Sequence, residues 1–167
     1  MGTEFKGLAA IRHRTADKLV YSKWRAAMGG RVSTISAGGA ALSGELVRVF
    51  AAANVDLLQG YGLTETSPVI TFNRPKTNRP GWVGVPLPHV EVRIAEDGEI
   101  LTRGPHVMKG YFKAPELTAE VIDDDGWFHT GDIGEFTAGF LRITDRKKDL
   151  FKLSTGKYVM PQPLENA

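Results

Sequence analysis

Two stretches decide the fold. They are Val32-Ser33-Thr34-Ile35-Ser36-Ala37-Gly38-Gly39 and Val55-Asp56-Leu57-Leu58-Gln59-Gly60-Tyr61-Gly62. Each is a short apolar run that ends in glycines, so Val32 to Ser36 and Val55 to Gln59 read as strands. Between them Leu42, Leu46, Val49, Phe50 and Ala53 fall at helical spacing, which predicts a helix from Leu42 to Ala53 capped by Ser43 or Ser36. Strand, helix, strand is the signature of a parallel α/β layer. Such layers place ligands at the carboxyl ends of their strands. Both predicted strands end there in glycine-containing loops, Ala37-Gly38-Gly39 and Gly60-Tyr61-Gly62.

Upstream, Val20, Trp24, Ala27 and Met28 share one helical face, which predicts a helix from Thr15 to Met28 stopped by Gly29-Gly30. Downstream of Pro75 the pattern turns to β. Val90, Val92 and Ile94 alternate with charged residues, and Asp97-Gly98 reverses the chain into Glu99 to Arg103. Pro115 suits the first residue of a short helix ending near Ile122. Asp123 to Gly126 reads as a turn whose acidic residues are solvated. Trp127 to Phe136 and Phe140 to Thr144 form a further antiparallel pair around Gly139. Leu150, Phe151, Leu153, Tyr158 and Val159 then begin an apolar pattern with little chain left to bury it. The sequence therefore reads as cut at Ala167, and Gly2-Thr3-Glu4-Phe5 fits a cloning scar.

Composition narrows the classes. Lys and Arg total 21 against 19 Asp and Glu, so a net charge of +2 gives no electrostatic case for nucleic acid as partner. The absence of cysteine excludes disulfides and thiolate metal sites. No apolar run is long enough to cross a bilayer and no signal-peptide core is present, which leaves a cytoplasmic protein as the default. His13, His89, His106 and His129 have no ligand-like spacing. There is no Gly-x-x-x-x-Gly-Lys-Ser/Thr loop and no Gly-x-Ser-x-Gly elbow.

Three stretches carry candidate chemistry. In Gly60-Tyr61-Gly62-Leu63-Thr64-Glu65-Thr66, glycines around an aromatic would let backbone approach a flat ligand. A hydroxyl followed by a carboxylate could hold a phosphate oxygen and its Mg²⁺ together. The same residues also suit a tight turn leading into a strand. In Trp127-Phe128-His129-Thr130-Gly131-Asp132, an aspartate at a strand end could accept both hydroxyls of a ribose, or be an exposed turn residue. Thr144-Asp145-Arg146-Lys147-Lys148-Asp149, taken by itself, reads as a solvated charged loop.

Taken in order, five segments resemble the adenylate-forming superfamily of acyl-CoA synthetases, luciferases and peptide-synthetase adenylation domains. They are Ser36 to Ala40, Tyr61 to Thr66, Gly81 to Ile94, Gly98 to Asp132 and Asp145 to Glu165. Within it, Asp145 to Lys152 with Gly156-Lys157-Tyr158-Val159 and Pro161-Gln162-Pro163 is most similar to the long-chain fatty acyl branch, with an aryl or medium-chain acid as the other substrate class. The resemblance implies an α/β fold. Residues 1–144 would be the later part of a large AMP-binding domain, a parallel α/β layer plus an antiparallel barrel-like subdomain. Residues 145–167 would be the hinge and start of a small C-terminal domain.

The resemblance also implies roles. Tyr61 would pack on adenine with the backbone of Ala37, Gly38, Gly39 and Gly62. Thr64 would contact the α-phosphate, Glu65 would bind Mg²⁺, and Asp132 and Arg146 would hold the ribose. Lys148 would be the hinge and Lys152 would approach the adenylate during thioester formation. ATP, CoA and a fatty acid would be the small-molecule partners, with AMP as product. A homodimeric parent and peripheral membrane contact through the lipid substrate are compatible with this. The family's phosphate-holding loop would lie upstream of the first helix, and its adenylation lysine beyond Ala167. On that basis the chain alone is expected to be inactive. Trp82 stands where the resemblance leads one to expect a small residue.

Overall fold

The computed structural model describes residues 7–147 and the backbone of residues 151–152 and 158–159. The first helical segment begins earlier than expected. It runs as α1 (Leu8–Ala16), a π-turn (Asp17–Tyr21) and α2 (Ser22–Ala27), with Gly29 and Gly30 in left-handed conformation beyond its end. Arg25 clamps this segment to the next helix, donating to Asp17 at 2.8 Å and to the Ala53 carbonyl at 2.9 Å. Near it, Trp24 tilts against Phe50.

The strand–helix–strand unit is present as β1 (Thr34–Ala37), α3 (Gly44–Ala52) and β2 (Asp56–Tyr61). Of the two candidate caps, Ser43 is the one used: its hydroxyl accepts the Leu46 amide, supplying one of the orphan donors of the first turn. β1 and β2 pair in parallel, Thr34 opposite Asp56 through Ala37 opposite Gln59. Among the described residues only this pair is parallel. β3 (Thr71–Phe72) and β4 (Val85–Pro86) extend the sheet antiparallel, giving the order β1-β2-β3-β4.

The predicted helical stripe is turned relative to the core. Val47 and Ala53 are buried, whereas Leu46 is 43 % and Trp24 42 % exposed. α3 packs against β2, and Leu46 and Val49 face outward.

The second half forms an antiparallel meander, β5 (Glu91–Ile94), β6 (Glu99–Arg103), β7 (Phe128–Thr137) and β8 (Phe140–Arg146). The Asp97-Gly98 and Ala138-Gly139 turns lie where the alternation predicts them. α4 (Pro115–Val121) starts on its proline, and Asp123 closes the next turn by accepting the Trp127 amide at 2.8 Å. β9 (Phe151–Lys152) and β10 (Tyr158–Val159) pair antiparallel.

The two larger sheets meet where the Leu141 amide donates to the Gly84 carbonyl and the Leu141 carbonyl accepts the Val83 amide. Around that seam Tyr61, Ile70, Val83, Ile100 and Leu141 form one apolar cluster, so the end of β2 is built into the junction between sheets. Trp82 flanks this seam with its ring between Arg79, 4.0 Å away, and Arg142, 5.4 Å away. Cation–π contact accounts for a large aromatic there. Among the described residues no helix is long and apolar enough to cross a membrane.

Candidate functional site

β1 and β2 end side by side, and the loops that follow them open onto two adjoining cavities. One, of about 440 Å³, is lined by Gly39, Gln59, Tyr61, Gly62, Asp132 and Arg146 among others. The other, of about 630 Å³, is lined by Ala37, Gly38, Thr64, Glu65, Phe72 and again Arg146. Every described residue to which the resemblance gave a role thus lines one or both of these cavities at the carboxyl ends of the parallel pair, the position such sheets reserve for ligands. Lys148 and the Lys152 side chain lie outside the described residues.

Tyr61 and Asp132 come from different sheets. The Tyr61 hydroxyl donates to Asp132 Oδ2 at 2.7 Å, and Arg146 Nε lies 3.2 Å from Oδ1. Burial, then the neighbouring Asp132 charge, push the Tyr61 phenol far above its ordinary value, so it stays a neutral donor. Asp132 is buried whereas Arg146 is mostly exposed, so the pair presents a carboxylate at the cavity wall and a guanidinium at its rim.

Asp132 is not at a strand end, as the sequence suggested. It lies within β7, where the pairing with β6 slips: Glu99 pairs with Ile133 but Leu101 with His129. The extra residues bulge, and bulges re-aim side chains.

Of the two readings of the glycines beside Tyr61, the structure fits the tight turn. A Cβ at Gly60 would lie 2.5 Å from the Phe72 ring, and one at Gly62 would overlap the Pro68 carbonyl. Both are required by packing of the chain on itself, with no ligand needed to explain them. Thr66 ties this reversal: its buried hydroxyl accepts the Leu63 amide at 2.9 Å and faces the Leu63 and Pro68 carbonyls. Glu65 is reached by the Tyr111 hydroxyl at 3.0 Å, and its carbonyl accepts the Met108 amide.

The charged run after Thr144 also departs from its expected solvated form. β8 continues to Arg146, Asp145 is 0 % exposed, and Lys147 Nζ lies 2.7 Å from Asp97 and 2.8 Å from Glu99. Glu99 was missed by sequence reasoning, because alternation alone places it as an ordinary hairpin residue. It is only 4 % exposed, and accepts from Gly131, His129 and Lys147. Burial raises the Glu99 carboxyl, but those three donors outweigh it and hold it below the ordinary 4.5. A carboxyl lowered on folding adds stability that is complete above its unfolded value and lost as pH falls through its folded value. Urea midpoints are therefore expected to drop below about pH 4.5, and Glu99→Gln to show a shallower acid loss than the parent. An equally steep loss in the variant would remove Glu99 from this role.

A model of the family described as AMP-binding enzyme matches residues 6–112, and the chain belongs to that family. Among its relatives, human long-chain-fatty-acid–CoA ligase 6 is 42 % identical over 90 % of this chain and 23 % of its own length. The peroxisomal long chain acyl-CoA synthetase 7 of Arabidopsis thaliana is 40 % identical over 96 % of this chain and 26 % of its own. The chain thus spans about a quarter of these relatives. Among solved structures, O-succinylbenzoate coenzyme A synthetase from Bacillus subtilis, in complex with ATP and magnesium ion, superposes with a TM-score of 0.72 at 29 % identity. It covers 86 % of this chain and 34 % of that one. The expected α/β architecture with its antiparallel second sheet is therefore correct, with the difference that β3 and β4 run antiparallel.

Proposed function

We propose that the chain is the nucleotide-holding part of an AMP-forming long-chain fatty acid–CoA ligase. The observation that carries the reading is the convergence of Tyr61, Asp132 and Arg146 on one cavity at the ends of β1 and β2. The names of its relatives support the choice of a fatty acid over other carboxylic acids. In the whole enzyme the carboxylate would attack the α-phosphate of ATP, expelling pyrophosphate, and the CoA thiol would then displace AMP.

The residues take the following parts. Adenine packs between the Tyr61 face and the backbone of Ala37 to Gly39 and Gly62. Asp132 accepts both ribose hydroxyls, and Arg146, paired with its Oδ1, holds the carboxylate toward the cavity. Thr64 donates to the α-phosphate. Glu65 offers a carboxylate for Mg²⁺, whose chemistry is neutralising phosphate charge. An ion of this kind is commonly bound by one or two carboxylates together with substrate phosphates. Lys148 serves as the hinge between residues 1–144 and 145–167, and Lys152 serves in thioester formation. Positioning and charge compensation supply most of the rate enhancement in such phosphoryl chemistry. The setting is the cytoplasm, although one relative is named as peroxisomal.

Calorimetric titration of AMP and of a non-hydrolysable acyl-AMP mimic into the 167-residue chain is expected to show saturable binding. A folded chain that binds neither would overturn the assignment. The same chain is expected to release no pyrophosphate on addition of fatty acid, and steady fatty-acid-dependent release would refute that part. A second reading, a non-catalytic interaction module, is favoured by the exposed Leu19, Val20, Trp24, Leu46 and Val49. It predicts self-association without nucleotide affinity.

A further inference from the structure

We propose that Glu99 is a positioning residue for the nucleotide site, holding the β7 bulge that turns Asp132 and its partner Arg146 toward the cavity. This rests on the reading of Asp132 as a ribose ligand.

A bulge needs fastening, because its extra residues lose their ladder partners. Here Thr130, Gly131 and Asp132 together oppose the single residue Ile100 of β6, and two side-chain bonds replace the ladder on that side. The Thr130 hydroxyl donates to the Ile100 carbonyl at 2.7 Å, and the Gly131 amide donates to Glu99 Oε1 at 2.8 Å. Gly131 itself has φ +73°, the left-handed conformation that glycine takes without strain, directly before Asp132. The Asp132 amide then bonds back to Thr130 Oγ1 at 3.1 Å. Glu99 is thus the only side chain besides Thr130 in described contact with the bulge backbone on its β6 side.

The other oxygen of Glu99 reaches the end of β8. Oε2 accepts Lys147 Nζ at 2.8 Å, and Lys147 follows Arg146, whose guanidinium pairs with Asp132. One buried carboxylate therefore fastens the residue before Asp132 and the residue after Arg146. His129 Nδ1 approaches the same oxygen at 3.1 Å, with Asp123 3.8 Å from its other nitrogen, and Asp97 shares Lys147. Burying a carboxylate is unfavourable unless it is paired and hydrogen-bonded, and here three donors compensate it. A purely structural carboxylate has no need to join the two positions that flank a ligand-facing pair.

The experiment compares AMP with 2′,3′-dideoxy-AMP, which lacks both ribose hydroxyls, by calorimetry on the full chain. The variants are Glu99→Gln and Lys147→Met, the latter acting from a half-exposed side chain and keeping the buried carboxylate. Acting through Asp132, Glu99→Gln is expected to weaken AMP about tenfold, the scale of one misplaced charge-assisted hydrogen bond. Its affinity for the dideoxy nucleotide should stay that of the parent, and Lys147→Met should shift the AMP ratio in the same sense by less. Equal weakening of both nucleotides would show a general structural loss and overturn the proposal, as would no weakening in a folded variant. A parent chain that binds neither nucleotide would instead fail the functional assignment, and the positioning role would fall with it. Should Glu99→Gln not fold, the AMP-selective loss in Lys147→Met decides, and its absence refutes the proposal.

Discussion

Asp132→Ala is expected to weaken AMP binding by roughly 100-fold, because charge-assisted hydrogen bonds to two hydroxyls are lost from a partly dry site. The carboxylate is buried and fixed on both oxygens, by the Tyr61 hydroxyl at 2.7 Å and by Arg146 at 3.2 Å, so no neighbouring acceptor replaces it. A second consequence follows from the same geometry. Tyr61 is buried and would lose the acceptor of its hydroxyl proton, keeping the Thr130 side chain as a neighbour, which costs on the order of 1–3 kcal/mol of stability. Tyr61→Phe combined with Asp132→Ala removes both partners, so the double variant should regain part of that stability while still failing to bind AMP. Thermal unfolding and calorimetry on the parent, both singles and the double variant separate the two effects. An Asp132→Ala chain that is folded and binds AMP like the parent would remove Asp132 from the ribose site.

How much was legible in the sequence depended on the range of the interactions involved. The β1-α3-β2 unit and the Asp97-Gly98 and Gly139 turns are written in local patterns, and all form where those patterns place them. β3 and β4 were not legible: two residues each, they are too short for alternation to register, and their antiparallel pairing is set by partners across the sheet. The position of Asp132 was misread for a similar reason. Glu99 is more than thirty residues away in sequence, and its hold on Gly131 leaves no trace in the local pattern around Asp132. Lys147 looked solvated because its anionic partners, Asp97 and Glu99, are equally remote. The candidate residues were nevertheless singled out together through the resemblance of their linked segments, and the described ones line two adjoining cavities. Their mutual distances were not legible.

The glycines around Tyr61, which read in the sequence either as room for a ligand or as a tight turn, set the second large effect. Gly62→Ala is expected to destabilise the chain by about 3 kcal/mol or more, since the new methyl group overlaps backbone and not a movable side chain. The obstacle is the Pro68 carbonyl, and the reversal between Leu63 and Pro68 is already pinned by the buried Thr66 hydroxyl, so the loop has little freedom to withdraw. Gly38 provides the control. Its added Cβ would lie 3.5 Å from the Gly60 carbonyl, an ordinary contact, so Gly38→Ala should leave the urea midpoint near that of the parent. If glycine served only to let a ligand approach, the order would differ: Gly62→Ala would keep its stability and lose nucleotide affinity alone. Urea unfolding of the two variants, without any ligand, therefore distinguishes packing of the chain on itself from accommodation of a nucleotide. The geometry at Pro68 requires that Gly62→Ala unfold first.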